Sequence, residues 1–383
     1  MEYRLDELFD LQMGKTPARK NPEYWNSNDY KWISIADLSK CEKYITETKE
    51  HISSIAVQES GISEIPANTV IMSFKLSIGK TAITKEPIYS NEAIMSFRDK
   101  GVTPLLPDYI YYMFSGRDWS KGSNTAVMGT TLNKATLSQI RIYVHAYEDQ
   151  KRIVELLDKV SSIISKRKQE LVELDDLIKA RFVEMFGDNQ EVHKLSDIAV
   201  ITGGLTKNSR RDKLELRKPY LRVANVFFAS IDTTEILDIG LTKEEYEKTL
   251  LRNGDLLFVE GNGSPDQIGR VAIWNGEIED CVHQNHLIKA RFDLKRMNPV
   301  FAMYYFISER GRNQIKKRAV STSGLYTLSV SKIADFEIPN PPMELQQQFA
   351  AFVAAIDKSK ATVQKALDET QLLFDSLMQQ YFG

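Results

Sequence analysis

Residues 148–187 and 344–383 are two helix-forming runs of equal length that align without a gap at an offset of 196. The first opens at Glu148-Asp149-Gln150 and closes at Phe186-Gly187; the second opens at Glu344-Leu345-Gln346 and closes at Phe382-Gly383. The strand-rich segments ahead of them echo each other too. Leu5-Asp6-Glu7-Leu8 matches Leu195-Ser196-Asp197-Ile198, and Ile78-Gly79-Lys80-Thr81-Ala82-Ile83 matches Ile268-Gly269-Arg270-Val271-Ala272-Ile273. A module written twice predicts a pseudo-two-fold molecule, suited to a target that itself has two halves.

The helices carry a seam. Ile153, Leu157, Val160, Ile164, Leu171, Leu174 and Ile178 keep alternating steps of three and four, interrupted at Arg167. Phe349, Val353, Ile356, Val363, Leu367, Phe374 and Leu377 repeat the register, interrupted at Lys360 and Thr370. That spacing holds one face of a helix apolar, so the two runs are expected to pair with each other as an antiparallel coiled coil, each roughly 60 Å long. The alternative is that each is only the edge of its own core; the Ala and Gln content of 345–366 suits close helix-to-helix approach better than contact with a sheet. Pro339-Asn340-Pro341-Pro342 marks the entry to the second run, and Asp188-Asn189 after Gly187 a stop to the first. The expected division is residues 1–147 and 188–340 as globular modules, with 148–187 and 341–383 as long helices.

At 383 residues, 42% hydrophobic and 27% charged, the chain can bury at least two cores and has no membrane span. Its start, Met1-Glu2-Tyr3-Arg4-Leu5-Asp6, lacks the apolar stretch of a secretory signal, which makes the cytoplasm the expected location. Cys41 and Cys281 occupy unrelated places in the repeat, so a disulfide framework is not expected. The net charge of -2 is low for a protein that neutralises phosphates. Its distribution is uneven: residues 1–147 are neutral, 193–340 carry +3, and the acid lies elsewhere, so a nucleic-acid role calls for a partner that adds positive charge.

The modules read as mixed α/β. Short β-rich runs such as 32–35, 69–74 and 256–259 alternate with Gly, Pro and Asn turns, and the clearest helical runs are 105–116 and 299–317. Tyr109, Tyr111, Tyr112 and Phe114 in one, and Phe301, Tyr304, Tyr305 and Phe306 in the other, read as buried helix faces rather than base-stacking platforms.

Catalytic signatures fail on spacing. Gly14-Lys15-Thr16 and Gly79-Lys80-Thr81 end like a phosphate-binding loop, but Phe9 and Phe74 stand where its first Gly is needed. Asn340-Pro341-Pro342-Met343 lacks the aromatic ring that amino-methyltransferases stack on a flipped base, and reads as a helix-entry Pro pair. Cys281, His283 and His286 are three soft ligands without a fourth, and in a strand 286 points away from the other two. No catalytic or metal site is expected in this chain.

What remains polar is a display of loops. Glu260-Gly261-Asn262-Gly263-Ser264-Pro265-Asp266-Gln267 lies between two apolar strands, and Cys281-Val282-His283-Gln284-Asn285-His286 is similar in character. Asn and Gln can pair with adenine in two places, and Arg or Lys with guanine, although the same amides can simply tie loops together. Ser321-Thr322-Ser323-Gly324-Leu325-Tyr326 and its echo Met128-Gly129-Thr130-Thr131-Leu132-Asn133 place small hydroxyls beside Gly, which suits phosphate contact.

The order of variable module, helix, variable module, helix resembles the specificity (S) subunit of type I restriction-modification systems over the whole chain. Gly261-Asn262-Gly263-Ser264, then Ile268-Gly269-Arg270 and His283-Gln284-Asn285-His286-Leu287-Ile288, look like a recurrent target-recognition pattern, as do the strand-to-helix junctions at Glu148-Asp149-Gln150 and Glu344-Leu345-Gln346. The first half has Ser90-Asn91-Glu92-Ala93 where the second has His283-Gln284-Asn285-His286, so the modules are expected to read different sequences.

The resemblance implies a subunit that performs no chemistry: each module reads one half of a split DNA target and the paired helices fix the gap. It implies two modification subunits on the helical region, carrying S-adenosylmethionine, and restriction subunits that add ATP- and Mg-dependent translocation and cleavage. DNA contacts are then expected among Lys15, Thr16, Lys75, Lys80, Thr130, Thr131 and Asn133 in the first module. In the second they are expected among Lys207, Arg210, Arg222, Asn262, Ser264, Gln267, Arg270, His283, Gln284, Asn285, Ser321, Thr322, Ser323 and Tyr326. The competing readings are a self-contained N6-adenine DNA methyltransferase and a coiled-coil scaffold that binds protein.

Overall fold

The structure, a computed structural model, describes residues 1–75, 77–119, 132–187, 191–322 and 324–383. Two compact units emerge: residues 1–168 with 365–383, and residues 169–364. The division falls within the long helices rather than at the expected boundaries of 147, 187 and 340. Neither long helix stands apart, because Tyr147–Met185 and Met343–Phe382 each contribute one half to each unit. The reason is the seam, whose apolar residues are buried within whichever globular core lies beside them.

In the first unit, Glu2–Arg4 pairs with Arg141–Tyr143, and the terminal amine donates to Val144 O at 2.8 Å. A five-stranded sheet runs in the order Phe9–Met13, Ile94–Asp99, Val70–Ser73, Thr81–Thr84, Tyr44–Ile45. Val70–Ser73 and Thr81–Thr84 are buried along their whole length, which explains a largely apolar composition without alternation. Helix Pro107–Gly116, started by a proline whose missing N–H costs nothing there, lays Tyr109, Tyr112 and Phe114 into this core. A smaller sheet orders Glu50–Ile52, Tyr30–Ile33 and Tyr89–Ser90. The run expected as strand at 32–35 ends at Ile33, because Ser34 turns outward to cap the helix Ile35–Leu38.

The second unit repeats the plan. Val192–Lys194 pairs with Glu337–Pro339, a four-stranded sheet runs Ala199–Gly203, Leu287–Phe292, Asp255–Val259, Val271–Trp274, and a smaller one runs Leu237–Gly240, Arg217–Leu221, Val282–His283. A further sheet of Gly261–Asn262, Leu325–Thr327 and Val320–Thr322 carries the polar loops. The expected helix 299–317 is two helices, Pro299–Ile307 and Glu309–Arg318. Ser308 between them has extended backbone and its hydroxyl accepts from Gly311 N, so it caps a new helix instead of continuing the old one.

Within each unit the helix halves run antiparallel. In the first, Ile153 and Leu157 are buried where Phe374, Leu377, Met378 and Phe382 pack, and the Arg167 guanidinium donates to Ala366 O and Thr370 Oγ1. In the second, Ile178, Phe182 and Phe186 meet Phe349 and Val353, while Lys360 pairs with Asp175. The seam residues Val160, Ile164 and Leu367 are buried, and Leu171, Leu174, Ile356 and Val363 half-buried. The interruptions are thus polar contacts across the seam, one set in each unit.

Gln150 and Gln346 explain why the helix openings recur. Each is buried, with its amide spent on the loop ahead of an aromatic helix. Gln150 Oε1 accepts from Leu106 N at 3.0 Å while its Nε2 donates to Pro104 O and His145 O, both at 3.0 Å. Gln346 Oε1 accepts from Asn298 N and its Nε2 donates to Pro341 O, both at 2.8 Å.

Candidate nucleic-acid interface

One backbone crossing, made once in each unit, builds the candidate surface. Gly14 N donates to Ile94 O at 3.1 Å and Lys15 N to Ser90 O at 2.8 Å; in the other unit Leu205 N donates to His283 O at 2.8 Å and Asn285 N to Leu205 O at 2.9 Å. A β-carbon on Gly14 would lie 2.2 Å from Ser90 O, and one on Gly204 2.2 Å from His283 O, so only glycine admits the crossing. The side chains beyond it differ. The first unit places Thr16 against Glu92, and the second presents Gln284 and Asn285.

In the second unit some of the expected residues lie on linked elements. Gly261-Asn262 pairs with Tyr326-Thr327, which brings Asn262, Tyr326 and Ser321 onto one small sheet. Glu260, at the start of the same loop, accepts from His286 Nδ1 at 2.9 Å and so is tied to the 284–286 crossing. Arg270 reaches Val223 O at 3.2 Å, beside Arg222. Gln284 and Asn285 are half-buried, and among the described residues neither amide side chain has a hydrogen-bond partner. Asn262 Oδ1 is occupied by Ser264 N at 2.9 Å, and Ser264 Oγ accepts from Asp266 N at 3.3 Å, so these two partly serve the loop itself. Gln267, Lys207 and Arg210 are exposed. Arg222 is bonded to Glu235 at 3.0 Å, which compensates its charge.

The first unit gathers a smaller set. Lys15, Lys75 and Lys80 are exposed, with the Lys15 ammonium on Ser60 O and the Lys75 ammonium 5.3 Å from the Phe74 ring centroid. Glu92 lies near Lys75 and Arg19, its carboxyl held below the usual range first by the Thr16 hydroxyl. Thr130, Thr131 and Ser323 lie outside the described residues, and of Thr322 only the backbone, in Val320–Thr322, is described.

Two of the expected contact residues have roles within the fold. His283 is fully buried, with Nδ1 on Thr249 O at 2.9 Å, and burial, then the charge of Lys289, lower its pKa to about 4. It is a neutral core residue, because the crossing turns its side chain inward while Gln284 faces out. Asn133 is a helix cap: its Oδ1 accepts from Thr136 N at 2.9 Å, opening Lys134–Ser138. Cys281 is buried and its thiol pushed up to about 12 by burial, whereas His286 is exposed and paired with Glu260, so this trio does not converge on one point.

Sequence reasoning missed the supports. Arg312 donates to Gly269 O at 3.1 Å and Asp266 O at 3.2 Å, and Lys316 pairs with Asp266 at 2.6 Å, so helix Glu309–Arg318 clamps the 260–269 loop. In the first unit the Arg19 guanidinium lies 3.9 Å from the Trp25 ring centroid and 4.7 Å from that of Trp32, and pairs with Glu50. The basic last turn of 309–318 was a visible signal; the contact of Arg19 with rings six and thirteen residues away was not.

A family model described as the type I restriction modification DNA specificity domain matches residues 1–174 and again 187–370. The type I restriction enzyme MjaIX specificity subunit of Methanocaldococcus jannaschii is 25% identical over 405 aligned positions, covering 98% of this chain and 90% of the relative. The EcoKI specificity subunit of Escherichia coli K12 is 23% identical over 272 positions, covering 65% of this chain and 57% of the relative. Among solved structures, the type I restriction-modification S subunit from M. genitalium superposes with a TM-score of 0.55 at 14% identity, covering 100% of this chain and 96% of that one. A second structure, from a study of assembly and conformational transition in the type I system, gives 0.60 at 14% identity, covering 100% and 97%.

Proposed function

The chain belongs to the type I restriction-modification DNA specificity family, as a non-catalytic specificity subunit, and from that premise we propose that each of its two units reads one half of a split DNA target. The observation that carries this reading is the repeated crossing at Gly14 and Gly204: one frame, made twice, displays Thr16 and Glu92 in one unit and Gln284 and Asn285 in the other. Free amides suit adenine recognition and exposed Lys or Arg suit guanine or phosphate, so unlike side chains on like frames give an asymmetric target.

The two long helices set the gap between the half-sites and dock modification subunits, two of them, which carry S-adenosylmethionine; restriction subunits carry ATP and Mg. Those partners supply the chemistry and the positive charge that a chain of net charge -2 lacks. Among the described residues no helix is long and apolar enough to cross a membrane, and the complex works in the cytoplasm.

Methylation mapping of cells expressing this chain with its modification subunit tests the reading. A split, non-palindromic motif is expected. A single continuous motif, or stoichiometric S-adenosylmethionine binding by the chain alone, would overturn it. Duplex affinity that falls steeply with salt separates DNA binding from a protein scaffold.

A further inference from the structure

The loop 226–231 in the second unit closes on itself through the Val226–Ile231 bridge and a bond from Phe227 N to Ser230 O at 2.9 Å. Ala229 at its tip adopts a left-handed φ of 54°, held there by its N–H on Val271 O at 2.9 Å. This fixed turn displays two consecutive phenylalanines. Phe227 is 43% exposed, and among the described residues it is the one phenylalanine with that much of its surface in solvent. Behind the rings stand two guanidiniums: Arg270 lies 5.4 Å from the Phe227 centroid and Arg312 5.0 Å from that of Phe228.

Among the described residues, neither guanidinium is hydrogen-bonded to a carboxylate. Arg270 Nε is buried without a hydrogen-bond partner, and both groups otherwise meet only backbone carbonyls. Nearby acids are already engaged: Glu260 with His286, Asp266 with Lys316, Glu235 with Arg222, and Asp232 with Thr234 N. An exposed ring backed by two guanidiniums, with Asp266 the one carboxylate near Arg312 and itself paired with Lys316, is complementary to stacked bases between phosphates.

We propose that Phe227 is a wedge that enters the base stack of the half-site read by residues 169–364, with Arg270 and Arg312 supplying counter-charge beside it. This rests on the DNA reading above. Apolar wedges unstack a base step and kink the duplex, so specificity arises at a step that no amide touches. The first unit supplies an internal comparison. Ser34-Ile35-Ala36-Asp37 and Arg222-Val223-Ala224-Asn225 are matching turns in which the fourth side chain accepts from the first backbone N–H, at 3.1 and 2.9 Å, and counting on from them puts Ser39-Lys40 where Phe227-Phe228 stand. The wedge therefore serves one half-site only.

The test uses the full chain in complex with its modification subunit and duplexes carrying the mapped target, with 2-aminopurine placed at successive steps of both half-sites. Binding should brighten one step, in one half-site, other than the methylated adenines. Phe227→Ala should abolish that signal and weaken binding about tenfold, whereas Phe227→Trp should keep both. Unchanged thermal melting of Phe227→Ala shows that the fold is intact. A target that binds and is methylated without a Phe227-dependent step would refute the wedge alone. A complex that binds no split target would remove the DNA reading and the wedge with it.

Discussion

Replacing Gln346 with Leu keeps the volume of a buried side chain but leaves Asn298 N and Pro341 O without the partners they have at 2.8 Å. Each orphaned group costs about 1–3 kcal/mol, so the variant should lose about 2–6 kcal/mol in urea unfolding; a loss under about 0.5 kcal/mol would mean that water replaces the amide. Gln150→Leu should behave alike in the first unit. His283 gives a pH signature. Its pKa is lowered to about 4 by burial, against roughly 6.5 unfolded, so between these values the unfolded chain binds a proton that the native one refuses. Stability is fully present above about pH 6.5 and falls as pH drops toward 4, by on the order of 3 kcal/mol, and His283→Gln should flatten that part of the slope. At the surface, Gln284→Ala should weaken discrimination in one half-site by about 1–3 kcal/mol. Equal loss in both half-sites on methylation mapping would make Gln284 structural. The repeat made Gln150, Gln346 and the 283–286 run visible, but not their directions. His283 is buried where the strand Val282–His283 ends and Gln284 half-buried just beyond it, and nothing local to the sequence says which one the core receives.

A helix that serves a seam and a globular core at once should be most sensitive where both demands meet. Phe182 is such a point: its ring centroid lies 5.6 Å from Phe301, 5.4 Å from Phe349 and 5.2 Å from Phe186. Phe182→Ala should cost the second unit about 3–5 kcal/mol. Phe382, half-buried against Tyr109 at 5.4 Å, should cost the first unit about 2 kcal/mol when truncated. Thermal unfolding of the two variants orders them; a larger loss for Phe382 would contradict this account. Elements with one strong period were legible: the seam at steps of three and four, and the buried strands at 70–73 and 255–259. Ser34 and Ser308 were missed as boundaries because a capping hydroxyl competes with apolar neighbours that still favour the element. Both expectations for the helices hold in part, since Ile178, Phe182 and Phe349 belong to a globular core while Arg167, Thr370, Lys360 and Asp175 bond across a seam.

The duplication also dictates how the whole chain can be lengthened. The units divide after Lys168 and after Gln364, where each continuous helix passes from one unit to the other. An insertion there leaves the buried seam residues of both units in place: Ile153, Leu157, Phe374 and Leu377 on one side, and Ile178, Phe182, Phe349 and Val353 on the other. Sequence periodicity showed that the helices pair, but not this division, because a 4,3 pattern does not reveal which core a turn of helix joins. One heptad added at both points preserves the register and adds about 10 Å to each helix. If the helices set the gap, as proposed, the half-sites should move apart by about three base pairs at about 3.4 Å each, less whatever the duplex recovers by bending or twisting. The bases of each half-site should stay the same, since Thr16, Glu92, Gln284 and Asn285 remain on their own frames. Methylation mapping of the doubly lengthened chain reads both quantities at once. An active variant with an unchanged gap would show that something other than the helices sets the spacing, and altered half-site bases would show that the two units do not read independently.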